Sequence, residues 1–162
     1  MAMLGVFDSG LGGLTVVKEI KKRFPKCSVV YLGDTARVPY GPRGNDVITQ
    51  FAVQDVQFLE QFPLDAMGIA CNTVSAVAAD AIRKVAKVPV YEMIVPAAKQ
   101  AQEITKNGRI GVIGTRATIA SHAYKNQLTK QEVFEQACPL FVPFVEEGEL
   151  ESEALVLLAE QY

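Results

Sequence analysis

A parallel-sheet α/β fold built from βαβ units is predicted by three observations. Short apolar runs alternate with longer amphipathic segments along the chain. Five or six of these runs are separated by helix-sized stretches, the spacing that parallel strands with helical crossovers require. With 162 residues, 49% hydrophobic and 21% charged, there is enough apolar material to cover such a sheet on both faces.

The elements follow in order. Met3–Phe7 reads as the first strand, followed by the Gly-rich "GLGG" and a helix over about Leu14–Phe24. "SVVYLG", Ser28–Gly33, is the second strand, and after the loop "DTARVPYGPRG" a helix is expected over Asn45–Gln61. "DAMGIA" is the third strand, with a helix over Val74–Lys87, and "VPVYEM" is the fourth. A helix then carries Pro96 near its first turn, where a missing N–H costs nothing, and stops at Asn107-Gly108. "RIGVIGT" is the fifth strand, with a helix from Thr115 to about Leu128. "ACPLFVPFV" is the expected sixth strand, and "GELESEALVLLAEQY" a final helix. A boundary between lobes is placed near Val95–Ala97, giving residues 1–95 and 96–162.

Several function classes are disfavoured. Sixteen basic and eighteen acidic residues give a net charge of −2, with no charged run to bind nucleic acid or a membrane surface. No apolar run approaches the roughly 18 residues that span a bilayer, and the N-terminus lacks the basic region of a signal peptide. Three irregularly spaced cysteines and one histidine suggest neither a disulfide framework nor a metal site. A cytoplasmic protein with reduced thiols is expected.

Ligands of open parallel sheets bind beyond the carboxyl ends of the strands. Asp8 and Ser9, Asp34 and Thr35, then Cys71, Asn72 and Thr73 follow the first three strands. Thr115 and Thr118 follow the fifth, and Glu146 and Glu147 the sixth. Asp, Ser, Thr and Asn are ordinary helix N-caps, which accounts for some of them, Thr115 especially. Cysteine is not a favoured cap. A thiol just ahead of a helix sits in a positive field expected to lower its pKa from about 8.5 towards neutrality. Such a thiol can take protons or attack carbonyls, although a buried cysteine is also common as inert packing.

"SGLGGLT" opens a helix after a strand, as a dinucleotide fingerprint does, and Asp34 sits where a ribose-binding acid would. Thr15 replaces the third glycine and Asp8 precedes the loop, both unfavourable to a pyrophosphate, so nucleotide binding stays as an alternative. The loop "DTARVPYGPRG" reads as a binding loop in which Arg37 and Arg43 are available to a carboxylate or to solvent. His122, the single histidine, is given no chemistry.

Taken together, "FDSGLGGLTV" (Phe7–Val16), "GDTARVPYG" (Gly33–Gly41), "ACNTVSA" (Ala70–Ala76), "IGVIGTRATIASHAY" (Ile110–Tyr124) and "ACPLFVPFVEEG" (Ala137–Gly148) resemble the glutamate racemases of bacterial cell-wall synthesis. The resemblance implies a two-lobed, cofactor-free isomerase of L- and D-glutamate, with a pair of cysteines flanking the α-carbon. It assigns Cys71 to the D-enantiomer with Asp8 assisting, and Ser9, Tyr40, Gly41, Asn72, Thr73, Thr115 and Thr118 to the substrate. Asp34 and Glu146 become supporting positions, Glu146 near the other cysteine, and Arg37 and Arg43 lose priority. It implies glutamate as the small-molecule partner; from composition no nucleic-acid or membrane partner is expected, and apolar surface left by incomplete lobes is expected to drive association into a homo-oligomer. The family's second cysteine belongs to a Gly-Cys-Thr-His segment expected beyond Tyr162, so the fold is expected to be incomplete at its C-terminus. The chain alone is then not expected to racemise at a normal rate. Cys27 and Cys138 are read as lying at the wrong ends of their strands. A non-catalytic glutamate-binding remnant and a racemase of another acidic amino acid remain alternatives.

Overall fold

The computed structural model describes residues 2–162. In chain order the elements are β1 (Met3–Asp8), α1 (Leu14–Arg23), β2 (Ser28–Gly33), α2 (Asn45–Leu59), β3 (Ala66–Ile69), α3 (Asn72–Val85) and β4 (Val90–Tyr91). Then come α4 (Ile94–Ile104), β5 (Arg109–Gly114), α5 (Arg116–Ala120), α6 (Ala123–Gln127), β6 (Glu132–Ala137), α7 (Phe141–Glu146) and α8 (Glu153–Gln161). Every pairing is parallel. The strands form a four-stranded sheet, β2-β1-β3-β4, and a two-stranded sheet, β5-β6.

The order of the first sheet matters for function. The chain leaves β1 to one side for β2 and crosses back to the other side for β3. The carboxyl ends of β1 and β3 therefore flank a point where the winding reverses, the place where such sheets open a crevice. Asp8 ends β1, and the chain leaves β3 through Ala70, whose amide donates to Phe7 O at 2.9 Å, into Cys71.

Right-handed crossovers put α1 on one face and α2 with α3 on the other. The second face carries the core: Ile48, Ala52, Val56 and Leu59 of α2 and Val74, Ala78 and Ile82 of α3 close over Phe7, Met67 and Ile69. No residue of α1 is buried, so the expected double cover is deep on one face only. Ile82 has no exposed surface; Ile82→Val, which deletes one methyl there, is expected to cost about 1 kcal/mol in urea unfolding. A smaller core, Ala98, Val112 and Leu128 with Ile110 and Val133, sits between the second sheet and its helices. Among the described residues no helix is long and apolar enough to cross a membrane.

Three expectations are corrected. The sixth strand is Glu132–Ala137, not Ala137–Val145, and "FVPFVE" is the helix α7. Pro143 sits in the first turn of that helix, where its lost N–H is harmless, whereas it would interrupt a strand. The true strand was masked because Glu135 occupies an inward position; His122 Nδ1 meets its Oε2 at 2.6 Å. The expected single helix Thr115–Leu128 is broken at His122, a left-handed residue (φ 52°) between α5 and α6. Ser121 assists the break by donating to Thr118 O and accepting from the Ala123 amide. The fourth strand shrinks to Val90–Tyr91 because the Glu92 carboxylate turns to accept the Ile94 and Val95 amides at the start of α4.

Candidate active site

At the end of β1 the Asp8 carboxylate is buried and its Oδ2 accepts the amides of Gly10 and Gly13, each at 3.1 Å. The negative charge thus lies at the start of α1, where the helix field favours it. Those amides are the ones a pyrophosphate would need, so the loop's anion-binding capacity is taken by the chain's own carboxylate. Asp34, the expected ribose acid, is likewise engaged, accepting from Arg37 Nε at 2.5 Å and from the Tyr40 hydroxyl. Both observations remove the support for nucleotide binding.

Cys71 is the N-cap of α3, its sulfur accepting the Val74 amide at 3.5 Å. The thiol donates to the Ser9 hydroxyl at 3.4 Å. Only 5% of the residue is exposed. Burial pushes the thiol pKa up, and the Asp8 charge adds to this, while the contacts from Ser9 and Val74 work against both. The expectation of a lowered pKa is therefore wrong in sign. Desolvation of a thiolate, which depends on the packed surroundings, outweighs the helix field. In this state the sulfur is a thiol.

Two residues after Cys71, the Thr73 hydroxyl of α3 meets those of Thr115 and Thr118 at the start of α5. Thr73 Oγ1 of α3 and Thr115 Oγ1 are 3.0 Å apart, Thr115 and Thr118 Oγ1 are 3.0 Å apart, and Thr118 reaches Thr73 at 3.5 Å. Thr115 also caps α5 by accepting the Thr118 amide. Each hydroxyl has one donor that rotates to suit its partner, so the triangle can turn its protons towards an incoming carboxylate. Asn72 is exposed, and its Oδ1 accepts from Tyr124 OH at 2.6 Å.

The other expected residues are distributed less simply. Gly41 is buried against Thr115, its carbonyl accepting the Ala117 amide at 3.2 Å. A Cβ there would lie 2.6 Å from the Thr115 side chain. Tyr40, expected to touch substrate, is only 1% exposed, and its hydroxyl is turned into the protein towards Asp34 and Asp55. Its side chain cannot reach a ligand, which leaves the backbone. Glu146 ends α7 rather than following a strand, and its Oε1 lies 2.7 Å from where a Cβ on Gly10 would be. Burial, then the charges of Asp8 and Glu147, pushes its pKa up.

Arg37 pairs with Asp34 and Asp55, and Arg43 donates to the carbonyls of Pro39 and Arg37. Cys27 precedes β2 as read. Cys138 is the reverse of its reading: it directly follows β6, buried, with its amide on Gly114 O at 2.8 Å. Burial raises its thiol pKa.

Tyr31 was not anticipated. Its hydroxyl donates to Gly10 O at 2.9 Å, and its pKa is raised to about 12 by burial and then by the Asp8 and Cys71 charges. A lone phenol within the apolar run "SVVYLG" was the available signal. Asp55 was also missed. Burial, then the Asp34 charge, pushes its carboxyl up to about 6 from 3.8. Asp55 therefore holds its proton more tightly folded than unfolded, and the stability this contributes is present below its ordinary value and lost as pH rises through about 6. Compared with wild type, Asp55→Asn should lack that decline, a difference on the order of 2 kcal/mol between acid and neutral pH. Urea titrations from pH 4 to 7.5 check it; parallel stability curves would contradict it.

Two concavities lie elsewhere. One of about 250 Å³ runs between α4 and β5, and one of about 200 Å³ lies among α3, α4 and α6. Neither is lined by Asp8, Ser9 or Cys71. Convergence of strand ends, not cavity volume, singles out the candidate site.

The same arrangement of elements occurs in solved proteins. The Francisella tularensis glutamate racemase, solved in complex with D-glutamate, is 39% identical with a TM-score of 0.93, covering 99% of this chain and 62% of that one. The Bacillus anthracis glutamate racemase isoform RacE1 is 41% identical with a TM-score of 0.89, covering 99% and 60%. Among curated relatives, the Aquifex pyrophilus glutamate racemase is 48% identical over 161 residues, 98% of this chain and 63% of the relative. The Persephonella marina glutamate racemase is 45% identical over 98% of this chain. The chain thus spans about three fifths of the length of these relatives. The sequence pattern of the Asp/Glu/Hydantoin racemases runs through residues 14–149, from the first residue of α1 to beyond α7. With pattern and fold coinciding over that span, the chain belongs to the Asp/Glu/Hydantoin racemase family.

Proposed function

We propose that this chain carries the glutamate-binding site of a glutamate racemase, and that Cys71, assisted by Asp8, takes and returns the α-proton of the D-isomer. The observation that carries the reading is the juxtaposition at the β1/β3 crevice: the Cys71 thiol donates to Ser9, beside the Asp8 carboxylate. The names of the relatives, and the D-glutamate held by one of them, support the choice of substrate.

In the proposed step, the Cys71 thiolate removes the α-hydrogen as a proton and the C–H electron pair moves into the α-carboxylate as an enolate. The Thr73, Thr115 and Thr118 hydroxyls, Asn72 and the Tyr40–Gly41 backbone serve as its holding groups. A thiolate of raised pKa is scarce at neutral pH but more basic, which suits so weak a carbon acid. Return of a proton from the same side exchanges hydrogen. Return from the opposite side inverts the centre and requires a second acid. Racemisation supplying D-glutamate for peptidoglycan is the corresponding role of the whole protein, in the cytoplasm and without a cofactor.

We read residues 1–95 and 96–162 as parts of two lobes, supported by the change of sheet between β4 and β5. Self-association is expected because Ile104, Ile113 and Leu157 are each more than half exposed. A sedimentation profile of a single monomer would contradict that.

The test of function is proton NMR of D-glutamate with the chain in heavy water. Loss of the α-proton signal with unchanged optical rotation supports the half-reaction. Absence of any shift at Ser9, Thr73 or Thr115 on titration with glutamate would overturn the reading. Aspartate binding as tightly as glutamate would favour a racemase for another acidic amino acid.

A further inference from the structure

We propose that Tyr40, Arg37, Asp34 and Asp55 form a clamp that seats the Tyr40–Gly41 backbone against the Thr115 turn and so fixes the spacing between the Cys71 and Thr115 sides of the site. The inference rests on the glutamate-binding reading, to which it adds four positioning residues.

The segment between β2 and α2 has no regular structure, yet it buries Tyr40, Gly41 and Asp34. Burying two carboxylates costs several kcal/mol per ion unless they are paired and hydrogen-bonded. Here one guanidinium serves both. Arg37 Nε reaches Asp34 Oδ2 at 2.5 Å, Nη2 reaches Asp55 Oδ1 at 2.8 Å, and Nη1 reaches Gln54 Oε1 at 2.5 Å. The Tyr40 hydroxyl closes the cluster between Asp34 and Asp55. Phe51 of α2 forms the floor, with the Arg37 guanidinium 4.4 Å above its ring and the Tyr40 ring 5.5 Å away. Arg43 holds the loop's own carbonyls at Arg37 and Pro39. Each guanidinium nitrogen of Arg37 thus helps to tie an irregular loop to the end of β2 and to the side of α2.

What this fixes is the next residue. Gly41 accepts the Ala117 amide and lies so close to Thr115 that no side chain fits between them. Thr115 bonds to Thr73, two residues after Cys71. The network thus ends on a backbone contact between the loop after β2 and helix α5 after β5, elements that follow strands of different sheets. A displacement of about 1 Å at such a contact is enough to change reaction rates substantially.

The experiment compares wild type with Tyr40→Phe and Arg37→Lys by amide hydrogen exchange and D-glutamate titration, using the whole chain. Tyr40→Phe is expected to speed exchange of the Ala117 amide about tenfold or more, leaving the Met67 amide, bonded to Pro89 O, within about threefold. The glutamate dissociation constant should rise about tenfold, with a smaller loss in α-proton exchange at saturation. Arg37→Lys, which keeps charge but loses the fork, should show the same pattern at reduced size and serves if Tyr40→Phe does not fold. Acceleration of all amides alike, or none at Ala117 in folded variants, overturns the clamp. A wild-type chain that fails to bind glutamate overturns the functional reading instead, and the Ala117 exchange still decides the clamp.

Discussion

Replacing Cys71 with serine is expected to lower the loss of the α-proton from D-glutamate in heavy water by roughly 10³-fold or more, since a positioned base contributes about 10² to 10⁴ and the serine hydroxyl is far harder to ionise. The substitution is close to isosteric. It can keep the contacts to Ser9 and the Val74 amide, and serine is a better N-cap than cysteine, so folding and glutamate affinity should hold within a few-fold. The comparison therefore separates chemistry from binding in one variant. The raised thiol pKa adds a signature. Exchange by the wild type should still climb with pH at pH 9, rather than level off near neutrality. Undiminished exchange in Cys71→Ser would remove Cys71 from the mechanism, and a profile flat above pH 7 would contradict the raised thiol pKa.

Gly33→Ala is expected to be the most damaging small substitution in the sheet. A Cβ at the end of β2 would lie 2.4 Å from the carbonyl oxygen of Gly10 and 3.3 Å from the Tyr31 ring. Gly10 cannot retreat freely, because its amide is on Asp8 and its carbonyl holds Tyr31. Backbone against backbone gives less than a soft core does, so the cost should exceed the roughly 3 kcal/mol at the upper end of ordinary overpacking. A fall in Tm of about 10 °C or more follows for a chain of this size. Calorimetry beside Gly111→Ala, where a Cβ meets nothing within 4 Å, provides the control. Equal melting of the two variants would show that the loop yields.

Much of the architecture was legible in the residues, because strand-length apolar runs and helical spacing are local properties. Ser28–Gly33 as a strand and Thr115 as a cap both came from local pattern alone. Two of the failures trace to partners more than ten positions away, and the others to local turns that apolar patterning does not reveal. Glu135 hid β6 because its inward carboxylate finds its partner in His122, thirteen positions earlier. The apolar run "LFVPFV" resembled a buried strand because its pattern does not reveal that Pro143 sits in a helix's first turn. Tyr40 carries a motif expected to meet substrate, yet Asp55 on α2 draws its ring inward.

The chain by itself determined that Asp8, Ser9 and Cys71 stand at the carboxyl ends of strands, since alternating βα segments put each strand's end at the same edge of a parallel sheet. Only the tertiary structure decided that β1 and β3 are neighbours, which brings Ser9 within 3.4 Å of the Cys71 sulfur. It also decided the state of that sulfur. A helix start favours a thiolate wherever it occurs, but the loss of water around Cys71 belongs to the packed assembly of α2, α3 and β1, and that larger effect keeps the proton on.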